Sequence, residues 1–330
     1  MISNINSVFH SISNLLDKYI KYIYILLVVI VLVLPFIGLN GYILRIIIMI
    51  SIYSILALGL NLVTGYAGQV SLGNAAYYAI GAYTSAILST KLGVNFFVAI
   101  MFAGMVSALF GLLIGLPTLR LSGTYLAITT LGFGEVVRIL LLNLDKLTNG
   151  PLGISRIPKP ALFGFEFTLV NNGLYYLSLI LLAITLLACY LIINSKIGRA
   201  FIAIKEDELA ASLMGIETTR YKVLAFVLSA LLSGLAGSFY PHMTSYIDPN
   251  TFIFDTSIMI LSIVILGGMG TLKGMVIGAI ILVSFPEILR FLDKFRFIVY
   301  GFILVCMMRF RPQGIMGGQV KKPYKFPVNL

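Results

Sequence analysis

Charged residues are scarce in this chain: they make up 11% of its 330 residues, whereas 59% are hydrophobic. A soluble domain carries about 25% charged residues, so this chain cannot cover a folded surface with polar groups. Its mean hydropathy of +1.03 indicates a bilayer as the solvent. The composition excludes a soluble globular protein and predicts an all-α polytopic membrane protein, with residues 1–330 forming a single transmembrane domain.

Cysteine and histidine are also scarce, with two residues of each. Cys189 and Cys306 each lie within an apolar run, which is typical of buried free thiols. His10 and His242 are far apart in sequence, and neither has a second ligand pattern around it. We therefore expect neither a disulfide nor a metal site.

The sequence lacks the GxxxxGK[ST] loop that cradles nucleotide phosphates. Its GGMGTLKG stretch, residues 267–274, is rich in glycine but has no strand–helix unit around it. Glycine is a poor helix former, so this stretch predicts a break between two short helices. No paired acids, histidine cluster or nucleophile motif indicates an enzyme, and we expect the chain to bind no cofactor.

The net charge of +11 comes from basic residues between apolar segments, where they suit anionic lipid rather than nucleic acid. A helix of about 20 apolar residues crosses a membrane. This length predicts about ten spans (eight to ten), at residues 22–39, 42–63, 67–90, 95–117, 122–142, 173–193, 222–240, 253–268, 274–286 and 297–309. Ten spans place both termini, the basic tail 311–330 and a polar loop, residues 195–222, on one side. Because that side carries more Lys and Arg, we expect it to be cytoplasmic.

The polar loop has a helix pattern of its own. Three consecutive acids, Glu206, Asp207 and Glu208, precede an apolar run, and Gly215 follows it. Acids suit a helix N-terminus and glycine suits the position past its end, so the pattern predicts a helix over Lys205–Met214. A short capped helix between membrane spans indicates docking to another protein.

Two stretches within predicted spans carry unusual polarity. GYAGQVSLGNAAYYAIGAY (65–83) holds Gln69, Ser71 and Asn74 among glycines, which fits either close helix packing or the lining of a translocation path. In RLSGTYLAITTLGFGEVVR (120–138), Tyr125, Thr129 and Gly132 share one helical stripe. Glu135 precedes Arg138 by three residues, the spacing of an ion pair. That pair is either a neutralised structural pair, or it places Glu135 in the translocation path or at a gate between subunits.

Five blocks spread over most of the chain after Gly65 carry a resemblance to a known family. They are GYAGQVSLGNAAYYAIGAY (65–83), RLSGTYLAITTLGFGEVVRILLLNLDKLTNGPLGI (120–154), SKIGRAFIAIKEDELAASLMGIETTRYKVLAFVLSALLSGLAGSFY (195–240), ILGGMGTLKGMVIGA (265–279) and RFRPQGI (309–315). The chain resembles the membrane permease subunits of ATP-binding-cassette importers for branched-chain amino acids. The resemblance implies the larger importer-permease fold, with broken helices, in the cell membrane of a prokaryote, and both termini cytoplasmic.

The resemblance also implies partners. A homologous second permease would complete the path for leucine, isoleucine or valine, two cytoplasmic subunits would bind ATP with magnesium, and an extracytoplasmic binding protein would deliver substrate. The polar loop would hold the coupling helix, with the ATPase-coupling residues Glu206, Asp207, Glu208, Ala210, Ala211 and Gly215. The path candidates are Gln69, Ser71, Asn74, Tyr125, Thr129 and Glu135.

The chain departs from the family pattern at two points. The importer signature reads Glu-Ala-Ala, three residues, then Gly; here Leu209 occupies the Glu position and Glu208 lies one place earlier. Asn74 follows SLG where the family often has His.

Two other functions remain open from the sequence. Related permeases carry urea or short amides. An ion-coupled secondary transporter would need buried carboxylates in several spans, for which Glu135 and Asp255 are the candidates.

Overall fold

The computed structural model describes residues 31–37, 40–118, 121, 123–162, 164–288, 301, 305, 309, 311 and 313–317. It divides into two compact units, residues 1–45 and 46–330. In the first unit, the described residues form a 3-10 turn, Leu34–Ile37, and the start of the first long helix. Most of the predicted spans 22–39 and 297–309 and of the basic tail 311–330 lies outside the described residues.

Ten α-helices of six residues or more follow one another in the described part of the chain: α1 (Gly41–Asn61), α2 (Asn74–Lys91), α3 (Phe96–Thr118), α4 (Gly123–Asn143), α5 (Gly173–Asn194), α6 (Lys196–Glu206), α7 (Glu208–Leu213), α8 (Thr218–Thr244), α9 (Phe254–Gly267) and α10 (Leu272–Ile288). A π-helical turn, Leu62–Tyr66, extends α1. Within the described residues, five helices are long and apolar enough to span a membrane: 41–66, 96–117, 123–143, 173–194 and 218–244. The chain is thus an all-helical protein with several apolar spans, as predicted.

The connections carry short elements. The link from α4 to α5 contains a helical turn, Asp145–Thr148, a 3-10 turn, Gly150–Leu152, and the strands β1 (Ile154–Ser155), β2 (Ala161–Leu162) and β3 (Phe165–Glu166). Strand β4 (Tyr246–Ile247) and a 3-10 turn, Pro249–Phe252, follow α8. β4 pairs antiparallel with β1, and β2 pairs antiparallel with β3. The long α4–α5 link is thereby fastened to the end of α8.

Helix α8 packs closely against α2 and α3 through small residues. An added Cβ at Gly81 would collide with the backbone of Gly234, and one at Gly237 would collide with the carbonyl oxygen of Tyr78. One at Gly111 would meet the Cβ of Ala230 at 2.6 Å. Small residues let membrane helices approach this closely, so α2, α3 and α8 form a tightly packed part of the buried core, to which α1 also contributes.

The third predicted span starts too early. Residues 67–90 were expected to be helical, but residues 67–73 are irregular and α2 begins at Asn74. Gly68 has φ +71°, a left-handed conformation that ends a helix. The freed backbone is bonded elsewhere: the N–H of Gln69 donates to Val63 O at 2.9 Å, and that of Leu72 donates to Thr130 Oγ1 at 3.0 Å.

The predicted break at 267–274 is present. Helix α9 ends at Gly267 and α10 begins at Leu272. The buried Asn61 side chain holds the break: its Oδ1 accepts from the Gly270 N–H at 2.8 Å, and its Nδ2 donates to the Thr271 carbonyl at 3.2 Å. A polar residue near the end of α1 therefore satisfies backbone groups that the break frees.

Replacing Asn61 with Ala should destabilise the protein. The change leaves the Gly270 N–H and the Thr271 carbonyl without their partners, at a cost of about 1–3 kcal/mol. Thermal unfolding in detergent should show a lower midpoint for this variant. Asn194→Ala is the control, because that amide is exposed and donates to Tyr190 O of its own helix at 2.8 Å. Equal midpoints for the two variants would contradict this role of Asn61.

Candidate functional site

The polar loop forms two helices rather than the one predicted. The single helix expected over Lys205–Met214 is wrong, because the chain breaks at Asp207 between α6 and α7. Asp207 is extended (φ −158°, ψ 111°), and its Oδ1 accepts from the Ala210 N–H at 2.9 Å. Asp207 is thus the N-cap of α7, with Glu208 in its first turn and Glu206 at the end of α6.

Helix α7 ends at the predicted glycine. Gly215 has φ +83°. The Ile216 N–H donates to Ala211 O at 3.1 Å, and the Gly215 N–H donates to Ser212 O at 3.0 Å. These bonds form a Schellman cap, which favours glycine because its conformation is left-handed.

An apolar tip, defined as Leu209, Leu213 and Met214, projects from α7. These side chains are 71%, 80% and 83% exposed, respectively. Ala210 is also exposed, whereas Ala211 is only 5% exposed. The two alanines of the signature therefore differ in burial: Ala211 packs against the protein, whereas Ala210 lies on the surface.

Glu208 lies against the body of the protein rather than projecting freely. Its Oε1 lies 2.5 Å from the Nζ of Lys222, whose side chain is 8% exposed, compared with 49% for Glu208. Lys222 lies in the second turn of α8, so the ion pair ties the first turn of α7 to the start of α8. Sequence reasoning missed Lys222 as the partner of Glu208; a lysine at the boundary between the polar loop and the predicted span 222–240 was the signal.

The polar residues around the break at 67–73 mostly face the protein interior. Ser71 and Asn74 are each 1% exposed, and Gln69 is half-buried. The Asn74 side chain lies 3.4 Å from Ser233 Oγ and 3.5 Å from Ser229 Oγ of α8. These contacts correspond to the packing interpretation for Asn74.

The stripe on α4 faces outward. Tyr125 is 74% exposed, and Thr129 and Gly132 are exposed as well. The neighbouring Thr130, which sequence reasoning did not select, is buried and accepts the Leu72 N–H. The path candidates therefore divide into three groups: those of α4 lie on an open face, Ser71 and Asn74 lie inside the bundle, and Gln69 is half-buried.

Glu135 and Arg138 form the ion pair that their spacing predicts. The Nε of Arg138 donates to both carboxylate oxygens of Glu135 at 3.0 Å, and the Nη2 of Arg138 also bonds Oε1. The Glu135 side chain is 43% exposed and that of Arg138 is 23% exposed, and both lie within the apolar helix 123–143. In the described ranges, no group of three His, Cys, Asp or Glu side chains could hold a metal ion.

The sequence is similar to known transport proteins. A family profile described as "Branched-chain amino acid transport system / permease component" matches residues 42–308. The high-affinity branched-chain amino acid transport system permease protein LivM of Salmonella typhimurium is 41% identical over 290 residues, 81% of this chain and 68% of the relative. LivM of Escherichia coli K12 is 41% identical over 287 residues, 80% of this chain and 68% of the relative. LivH of the same strain is 27% identical over 295 residues, which are 81% of this chain and 92% of the relative. No solved structure matches the chain.

The Glu208–Lys222 pair should stabilise the fold. Glu208→Gln leaves the buried Lys222 ammonium without its counter-charge, at a cost of about 1–3 kcal/mol because Glu208 is half-exposed. Thermal unfolding in detergent should show a lower midpoint. Glu217→Gln is the matched control: its 3.9 Å pair with Arg220 has side chains 73% and 79% exposed and should contribute about 0–1 kcal/mol.

The exchanged pair Glu208→Lys with Lys222→Glu should recover part of the stability that Glu208→Lys loses alone. If Glu208→Gln and Glu217→Gln unfolded at the same temperature, the pair would not hold α7 on α8.

Proposed function

This chain belongs to the family of permease components of branched-chain amino acid transport systems, and we propose that it is a permease subunit of an ATP-binding-cassette importer for leucine, isoleucine or valine. The observation that carries the proposal is 41% identity to LivM over four-fifths of this chain. The apolar spans and the exposed apolar tip of α7 in the polar loop agree with it.

The proposed topology has ten spans with both termini in the cytoplasm of a prokaryotic cell. The break between α9 and α10 supports it, because two short helices return the chain to the side on which it entered. The excess of Lys and Arg on the side of the polar loop supports its cytoplasmic placement.

Helix α7 is proposed as the coupling helix that docks on an ATP-binding subunit. The apolar tip supports this role, since three large apolar side chains at the end of a polar loop gain free energy when a partner covers them. ATP and magnesium would bind to that partner, because this sequence has no phosphate-binding loop. Glu206 and Asp207 would border the contact, whereas Glu208 is held by Lys222.

A second, homologous permease would cover the outer face of α4. Charged side chains in spans face protein or water rather than lipid, and the Glu135–Arg138 pair is partly exposed within a span. With a second permease on this face, Tyr125, Thr129 and Glu135 would line the interface or the path between the two subunits. An extracytoplasmic binding protein would deliver substrate to the other end, where the α4–α5 link lies.

The docking role predicts that Leu213→Glu abolishes co-purification of the ATP-binding subunit, because it places a charge in the apolar tip. Leu152→Glu is the matched control: Leu152 is 81% exposed, compared with 80% for Leu213, but lies in the α4–α5 link. The control should co-purify normally. Normal co-purification of Leu213→Glu would exclude α7 as the docking helix.

The transport role predicts ATP-dependent uptake of labelled leucine by vesicles that contain the full complex and its binding protein. Labelled urea should accumulate no faster than in vesicles without ATP. Uptake of urea but not of leucine would show that the complex transports a different substrate. Uptake of leucine driven by an ion gradient without ATP would indicate a secondary transporter.

A further inference from the structure

Helix α6 is bonded to the end of α1 by one lysine. The Nζ of Lys205 donates to the carbonyl oxygen of Gly65 at 2.8 Å. Lys205 lies in the last turn of α6, and Gly65 lies in the π-helical turn that extends α1. The last carbonyls of a helix lack intrahelical donors and carry partial negative charge, so a lysine ammonium is a favourable cap for them.

The stem of the same lysine packs on the following turn. An added Cβ at Gly68 would lie 3.1 Å from Cγ and 3.3 Å from Cβ of Lys205. Gly68 also has φ +71°, which favours glycine. Lys205 therefore contacts both sides of the point at which the π-helical turn after α1 ends and the irregular stretch 67–73 begins.

Beyond this point, residues 67–75 are bonded to two other helices. The Leu72 N–H donates to Thr130 Oγ1 of α4, and the Ala75 N–H donates to Ser257 Oγ of α9 at 3.1 Å. A displacement of Gly65 or Gly68 would thus reach the face of α4 and the start of α9 through hydrogen bonds.

The turn that Lys205 caps also meets the second helix break. Asn61, within the same end of α1, bonds Gly270 and Thr271 between α9 and α10. An added Cβ at Gly65 would collide with the Asn61 side chain and with the Gly270 backbone, so these groups are in close contact. Both breaks in the membrane helices therefore meet at the carbonyl that Lys205 holds.

We propose that Lys205 is a positioning residue that links the docking helix to the two helix breaks. Asp207, the N-cap of α7, lies two residues after Lys205, so movement of α7 on a partner is passed to Gly65 and Gly68 by this side chain. The proposal rests on the proposed function, because it requires a partner that moves α7.

The test compares three variants in the purified complex with ATP-binding subunits, reconstituted in vesicles. Lys205→Met keeps a long apolar stem on Gly68 but removes the ammonium, and Lys205→Arg keeps the cation. Lys196→Met, an exposed lysine in the first turn of α6, controls for the loss of one charge from the same helix. The readouts are co-purification of the partner, ATP hydrolysis and leucine transported per ATP hydrolysed.

Lys205→Met should assemble and hydrolyse ATP, but the leucine transported per ATP hydrolysed should fall about tenfold. Tenfold is the factor by which the loss of one hydrogen bond to a charged group changes an equilibrium constant. Lys205→Arg and Lys196→Met should stay within about twofold of the unaltered protein. An unchanged ratio in Lys205→Met, an equal fall in Lys196→Met, or loss of assembly in Lys205→Met would each overturn the proposal. Failure of the unaltered chain to assemble or transport would instead contradict the proposed function.

Discussion

The fold depends on satisfying the backbone where membrane helices break. Hydrocarbon offers no hydrogen bonds, so an interrupted helix is stable only where protein groups replace the lost partners. Asn61 does this for the break at 268–271, and Thr130 does it for residues 67–73. Because Asn61 and Gly65 bring the two breaks together, residues distant in sequence form one polar centre in an apolar bundle.

The polar loop is attached to this centre by Lys205, whose Nζ donates to Gly65 O. Asp207 and Gly215 fix the two ends of α7 by capping, and the Glu208–Lys222 pair ties its first turn to α8. The apolar tip is consequently presented by a helix that is fixed at both ends and attached to a membrane span. The one-residue offset of Glu208 from the importer signature has a structural meaning: the carboxylate serves this chain's own fold, and the remaining exposed side chains are open to a partner.

Composition and hydropathy predicted the spans well where the helix is uninterrupted. The prediction of 173–193 corresponds to a helix over Gly173–Asn194, because an apolar run of this length has one stable conformation in a membrane. The errors fall where single residues end a helix, as at Gly68 with its left-handed backbone and at Asp207 with its capping side chain. Asp207 breaks the predicted loop helix by capping, a local signal that was open to sequence reasoning. The partners Leu72–Thr130 and Glu208–Lys222 are distant in sequence, and hydrophobic periodicity carries no information about them.

The most direct measurement is a structure of the assembled complex with its ATP-binding subunits. The central claim is that α7 docks through its apolar tip while Glu208 stays on Lys222. The account predicts that Leu209, Leu213 and Met214 are buried against the ATP-binding subunit and that the Glu208 carboxylate remains within hydrogen-bonding distance of the Lys222 ammonium. A complex in which these three side chains remain exposed, or in which Glu208 pairs with the partner, would contradict it.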